Sequence, residues 1–279
     1  MVFFERILEF LDVKMQRPEA WGWFHLLFWG LTVGAAVLLC VLHKKDKPDR
    51  VRKVILTVAI TVTLLEIYKQ INFSFSYGGG ISFDYQWYAF PFQFCSTPMY
   101  VGLLAGIVKK GRFHDALCAY LATYAMFAGL ITMLIPNDIY IDTVGINIQT
   151  SVCHGSMITV AIYLLYTGYV KLEHKTILKA MSVFACAMGI AMVMNEIAYH
   201  CGLDETFNMF YISPHQEPSL LVYSDIQKIV PFPFCTLIYF FAFSLAAYLV
   251  LLIAIGISKL CGVIRRKKET SEASVGVSV

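Results

Sequence analysis

The chain has 279 residues, of which 58% are hydrophobic and only 15% charged, against roughly 25% charged in an ordinary soluble domain. With a mean hydropathy of +0.65, these values exclude a soluble globular domain and a disordered chain and point to a membrane protein. The net charge of +3 comes with no nucleic-acid motif, so nucleic acid is not expected as a partner.

Met1 to Pro18 mixes Glu5, Arg6, Asp12, Lys14 and Arg17 into its apolar residues. It lacks the clean apolar core and small-residue cleavage site of a removable signal peptide. The first span is therefore expected to act as its own insertion signal. Crossing ~30 Å of hydrocarbon takes about 20 helical residues. Stretches of that kind run from Trp21 to Leu42, Val54 to Ile71, Phe90 to Val108, Ala116 to Ile135, Ile148 to Val170, Ile177 to Tyr199 and Phe234 to Ile257. The expected fold class is all-α, a polytopic membrane bundle of seven transmembrane helices. Glu66 and Lys69 interrupt the second.

Of the 22 lysines and arginines, 17 follow spans 1, 3, 5 and 7 when Lys179, in the first turn of span 6, is counted with the loop before it. Cytoplasmic loops collect these residues, so the N-terminus is expected outside and the C-terminus inside, as in a multi-pass protein of the cell membrane. Residues 1–260 form the expected transmembrane domain. Residues 261–279 form a cytoplasmic tail, basic at Arg265, Arg266, Lys267 and Lys268 and disordered from Glu269.

Three loops face outward in this topology. Asn72 to Tyr88 places Gly78-Gly79-Gly80 among aromatic residues, a hinge resting at headgroup level. Pro136 to Asn147 carries Asp138 and Asp142 and no base. His200 to Val230 is the longest, and its mixture of charged residues with Phe207, Met209, Phe210 and Tyr211 suggests a lid or re-entrant segment. Of eight cysteines only Cys201 lies in an external loop, so no disulfide framework is expected.

Polar residues inside a membrane are costly and read first as functional. At 1.5 Å per residue, Cys95 lies about 8 Å below the outer surface, His154 about 9 Å, Glu66 about 8 Å, and Asn195 and Glu196 about 5 Å. Gln149, Ser151, Ser96 and Thr97 join this layer. Pro98 should kink the third span beside Cys95. A thiolate nucleophile needs a base, and His154 is the histidine at suitable depth. Glu196 or Glu66 would orient its imidazole, and Ser96, Thr97 or Gln93 would hold a carbonyl oxyanion. The same cluster also fits a polar layer that only ties helices together. Pro231-Phe232-Pro233-Phe234-Cys235 echoes Pro91-Phe92-Gln93-Phe94-Cys95, which weakens that motif as a mark of catalysis.

Phe90-Pro91-Phe92-Gln93-Phe94-Cys95, Ser151-Val152-Cys153-His154-Gly155, Asn208-Met209-Phe210-Tyr211 and Pro231-Phe232-Pro233-Phe234 resemble the YwaF-like bacterial integral membrane family. That family is similar to the transmembrane protein 164 acyltransferases and, more remotely, to the androgen-dependent TFPI-regulating hydrolases. The resemblance covers residues 20 to 257. It implies a Cys95 nucleophile and a His154 base that move a fatty acyl group from one lipid to another or to water, with membrane phospholipids as substrate and no cofactor. Gln93, Ser96, Glu66, Asn195, Glu196 and Asn208 are the expected substrate-binding residues. Gln93 stands where bacterial relatives tend to have a histidine, leaving His154 as the sole nearby base. Two alternatives stay open: a transporter or channel with a one-sided polar layer, and a zinc hydrolase built from His154, His200 and Asp204 or Glu196. For the latter no HxxxH or HExxH pair is present, and no metal is expected.

Overall fold

The computed structural model describes residues 2–42, 47–78, 80–136, 139–217 and 220–275. Gly79 of the glycine run, Asp138 of the second loop, the side chains of the basic run 265–268 and the last four residues of the expected tail lie outside the described residues.

The fold is an α-helical membrane bundle. Helix α1 (Val2–Leu11) precedes α2 (Trp23–Leu42) and α3 (Pro48–Asn72). Pro48 starts α3, where its missing N–H costs nothing, and Asp49 in the first turn and Lys69 in the last complement the helix dipole. Strands β1 (Phe75–Ser76) and β2 (Ser82–Phe83) pair antiparallel in the following loop. Then come α4 (Thr97–Ile107), α5 (Arg112–Tyr120), a π-helical turn at Leu121–Ala125 and α6 (Met126–Leu134). The last three form one continuous rod. Helices α7 (Val144–Tyr166), α8 (Lys175–His200), α9 (Leu221–Ile229) and α10 (Phe234–Val275) complete the chain. Helix α10 runs past residue 260, where the tail was expected to start.

Among the described residues six helices are long and apolar enough to cross a membrane, not seven. The expected third span is helical only over Thr97–Ile107, about 16 Å or half the hydrocarbon thickness. Residues before it turn instead, because Pro91 and Pro98 cannot donate backbone hydrogen bonds. Pro98 does not kink a helix. It occupies the first turn of α4, a position proline favours.

Helix α7 is central, packed by α2, α3 and α6. Small residues allow the approach, as is usual between membrane helices. A Cβ on Gly129 of α6 would lie 2.7 Å from the His154 carbonyl, and one on Gly106 of α4 would lie 2.5 Å from Leu56 Cβ on α3. On the other side of the bundle Phe184 of α8 stacks on Tyr124 at 4.6 Å and Phe240 at 5.6 Å, and meets Phe94 edge-on at 5.6 Å.

The third loop folds back into the helix bundle, and it is re-entrant in that sense. Phe207, Met209, Phe210 and Ile212 are all buried, and Phe210 packs against Phe92, Phe94 and Phe184. The chain reverses there with Phe210 and Tyr211 at φ 59 and 58.

Candidate functional site

Cys95 lies in the turn that leads into α4. The Gln93 carbonyl builds this turn by accepting from the Ser96 amide at 2.9 Å, the Thr97 amide at 3.1 Å and the Thr97 hydroxyl at 3.0 Å. The thiol is free and partly buried. The next two residues, Ser96 and Thr97, are buried.

Glu66 and Lys69 stand three residues apart on the last turns of α3, on one face. Lys69 Nζ lies 2.7 Å from Glu66 Oε1, with side chains only 16% and 7% exposed. The other carboxylate oxygen accepts from Gln149 Nε2 of α7 at 3.0 Å. Gln70 Nε2 donates to Glu66 at 2.8 Å and to the Ala89 carbonyl at 2.9 Å. Tyr85 donates to Gln70 Oε1 at 2.6 Å. Burial, then the nearby Glu66 charge, pushes the Tyr85 hydroxyl up to about 12, so it stays a donor at neutral pH. The buried carboxylate is therefore fully engaged, as burial of a charge requires.

His154 is the eleventh residue of α7. Its Nδ1 lies 2.8 Å from the Thr150 carbonyl. A carbonyl can only accept, so Nδ1 carries the proton and Nε2 keeps the lone pair of a base. Among the described residues no hydrogen bond joins Cys95 to His154. Sequence reasoning missed Lys69, treating it as an interruption of a span. The i,i+3 spacing from Glu66 was the available signal.

The other expected residues divide into two groups. Gln93 and Asn195 hold the re-entrant loop. Gln93 Nε2 donates to the Asn208 carbonyl and its Oε1 accepts from the Phe210 amide, both at 2.9 Å. Asn195 Nδ2 donates to the Met209 carbonyl at 3.0 Å and its Oδ1 accepts from the Met209 amide at 2.7 Å. Asn208 Oδ1 accepts from Ser213 at 3.0 Å, while its buried Nδ2 has no hydrogen-bond partner. Glu196 is elsewhere. It is half-exposed, 3.1 Å from His215 and 3.8 Å from His200, and His215 stacks on Tyr199 at 3.6 Å. It does not orient His154.

A different pair, Cys118 and His114, is in contact at the opposite end of the bundle. Cys118 Sγ lies 3.5 Å from Nδ1 and 3.7 Å from Nε2. Near-equal distances to both nitrogens put the sulfur off either lone-pair direction, and Nε2 is engaged with Tyr169 at 2.8 Å. This is packing, with both residues fully enclosed. Cys235, the echo of Cys95, is likewise enclosed. No group of three His, Cys, Asp or Glu side chains that could hold a metal ion occurs among the described residues.

Two cavities border the turn of α7 that bears His154. One of about 30 Å3 is lined by Cys153 and Ser156 with Pro98 and Met99 of α4. The other, about 300 Å3, has Ser151, Val152, Gly155 and Ser156 in its floor.

A model of the TMEM164 family matches residues 18–256. No curated protein and no solved structure matches the chain.

Proposed function

The chain belongs to the TMEM164 family, and from that premise we propose that it is an integral membrane acyltransferase or acyl-lipid hydrolase with Cys95 as nucleophile and His154 as base. The observation that most supports this reading is the Glu66–Lys69 ion pair, which Gln149 ties to α7, the helix that bears His154, so that a charged, hydrogen-bonded layer sits inside the bundle at the level of the proposed site.

In the proposed reaction His154 Nε2 takes the Cys95 proton and the sulfur attacks the ester carbonyl of a membrane phospholipid. The new C–S bond forms, the ester C–O bond breaks, and the imidazolium returns its proton to the departing alkoxide. A second lipid hydroxyl, or water, then attacks the thioester with His154 again accepting the proton; the C–S bond breaks, the acylated lipid or free fatty acid leaves, and the imidazolium returns the proton to the Cys95 sulfur. Lys69 balances the negative charge on sulfur. Asn208 Nδ2, a buried donor without a partner, and the Ser96 hydroxyl are the donors proposed for the carbonyl oxygen. Glu66 and Gln149 hold Lys69 in place. The cell membrane is the proposed location, with the site opening to the outer leaflet.

Purified protein incubated with phospholipid should gain the mass of one acyl group, and peptide mapping should place it on Cys95. C95A should abolish the adduct, and H154A should slow its formation by roughly 10²- to 10⁴-fold. Full lipid turnover in both variants would overturn the mechanism. Solute flux in vesicles without lipid turnover would favour a transporter.

A further inference from the structure

Elements adjacent in sequence are usually adjacent in space, yet α2 and α3 hardly touch. Both lean on α7 and leave the 300 Å3 cleft between them. Along α2 it extends from Phe28 to Leu39. Eleven residues rise ~16 Å, about half of the ~30 Å hydrocarbon core, the depth of one leaflet. Its rim is open, with Leu31 of α2 more than half exposed, and both walls are membrane-crossing helices. It is thus continuous with the bilayer.

The lining tells what fits. Six hydroxyls line the cleft, on Thr32, Thr57, Thr61, Ser151, Ser156 and Thr159; those of Thr61, Ser151, Ser156 and Thr159 donate to the carbonyls of Thr57, Asn147, Cys153 and Thr32 at 2.7–3.2 Å, and Thr32 Oγ1 packs against Gly155. Spent on the backbone, those four leave methyls and methylenes facing inward, a surface suited to an apolar chain. The back wall is shared. Val58, Val62 and Ser156 also line the smaller cavity, whose far side is Pro98, Met99 and Cys153. Those residues lie one turn beyond Cys95 and next to His154.

We propose that this cleft binds a single acyl chain of a membrane lipid, admitted sideways from the bilayer between α2 and α3, and so presents its ester to Cys95. The assignment of the ester rests on the acyl-transfer reading above. The assignment of the chain does not.

The test reconstitutes the full chain in vesicles doped with a phospholipid carrying a diazirine on one acyl chain. After irradiation, cross-links should concentrate on the α2 peptide spanning Leu31–Leu39 and on the α7 floor. A35W fills the cleft and should remove those cross-links. It should also lower the ratio of long-chain to short-chain acylation at Cys95 by roughly tenfold or more, since a displaced ester reacts poorly. V193W, equally bulky but on a bilayer-facing position of α8, should change neither readout. Labels spread evenly over α2, α8 and α10, or retained in A35W, would overturn the proposal. Cross-links in the cleft without any Cys95 adduct would support the chain site and refute the acyl-transfer reading.

Discussion

Asn195→Leu is the sharpest test of the re-entrant loop, because the exchange keeps the side chain's approximate size while stranding two buried backbone groups. The Met209 amide loses its 2.7 Å acceptor outright, and the Met209 carbonyl keeps only a 3.4 Å contact from the Ile212 amide. At about 1–3 kcal/mol per unsatisfied buried group the cost is roughly 2–6 kcal/mol, with the carbonyl toward the lower end. Local opening then becomes that much easier. At ~1.4 kcal/mol per decade, amide exchange across Met209–Ile212 should accelerate by roughly 30-fold to 10⁴-fold, up to the limit set by global unfolding. Asn195→Asp retains the acceptor and loses the donor, so its effect should fall between. Asn195→Leu combined with Gln93→Leu should cost less than the sum of the two, since one segment is released once. Hydrogen exchange read by mass spectrometry supplies the measurement. Unchanged exchange at 209–212 in a variant whose helical signal and melting are otherwise intact would refute the clamp.

Lys69→Met leaves Glu66 buried without its cation and should destabilise the protein by roughly 3–5 kcal/mol, the usual cost of breaking a buried pair. The double exchange Glu66→Gln with Lys69→Met should regain most of that, as read by thermal unfolding in detergent. Gly106→Ala forces its new methyl into Leu56, where both Cβ and backbone resist, and should cost about 1–3 kcal/mol. Asp12 is held below the usual carboxylate range: burial opposes this, but hydrogen bonds from Lys14, Tyr77 and Thr143 outweigh it. Its contribution is therefore full above the unfolded value of about 3.9 and is lost as pH falls through the lower folded value. Proteolysis near α1 should rise across that acidic window in the wild type, and Asp12→Asn should show the high rate at neutral pH already. Cys118→Ala should leave any acyl adduct unchanged, because its contact with His114 is packing.

Depth along a helix was legible in the sequence; direction around it was not. Asn195 and Glu196 are neighbours at one depth, but successive residues point about 100° apart. Asn195 therefore faces the loop it clamps while Glu196 faces His215. The same rotation puts Cys153 in the wall of the small cavity beside Pro98 and leaves His154 bonded to its own helix. The membrane bundle was readable because long apolar runs have few other uses. The third span failed because its length was counted in apolar residues, while Pro91 and Pro98 decide how many of them are helical. The re-entrant loop was readable in outline, from length and apolar content. That Gln93 and Asn195 serve it rather than a substrate depends on tertiary contacts across 14 to 117 residues, which no local pattern encodes.

The segment between α1 and α2 is a hitch linking distant parts of the chain. Tyr68 donates to the Leu11 carbonyl, Tyr77 and Thr143 donate to Asp12, and the backbones of Val13 and Met15 bond Val144 and Asp142 at 2.9 and 2.8 Å. Three of these five partners, Asp142, Thr143 and Val144, lie about 130 positions further along and are synthesised well after residues 11–15. Closing so long a loop carries an entropic cost that only late contacts repay. The knot at Asp12 is thus tied only after residues 142–144 have been made, so residues 11–15 reach their final place later than the helices α2 and α3 that follow them in sequence.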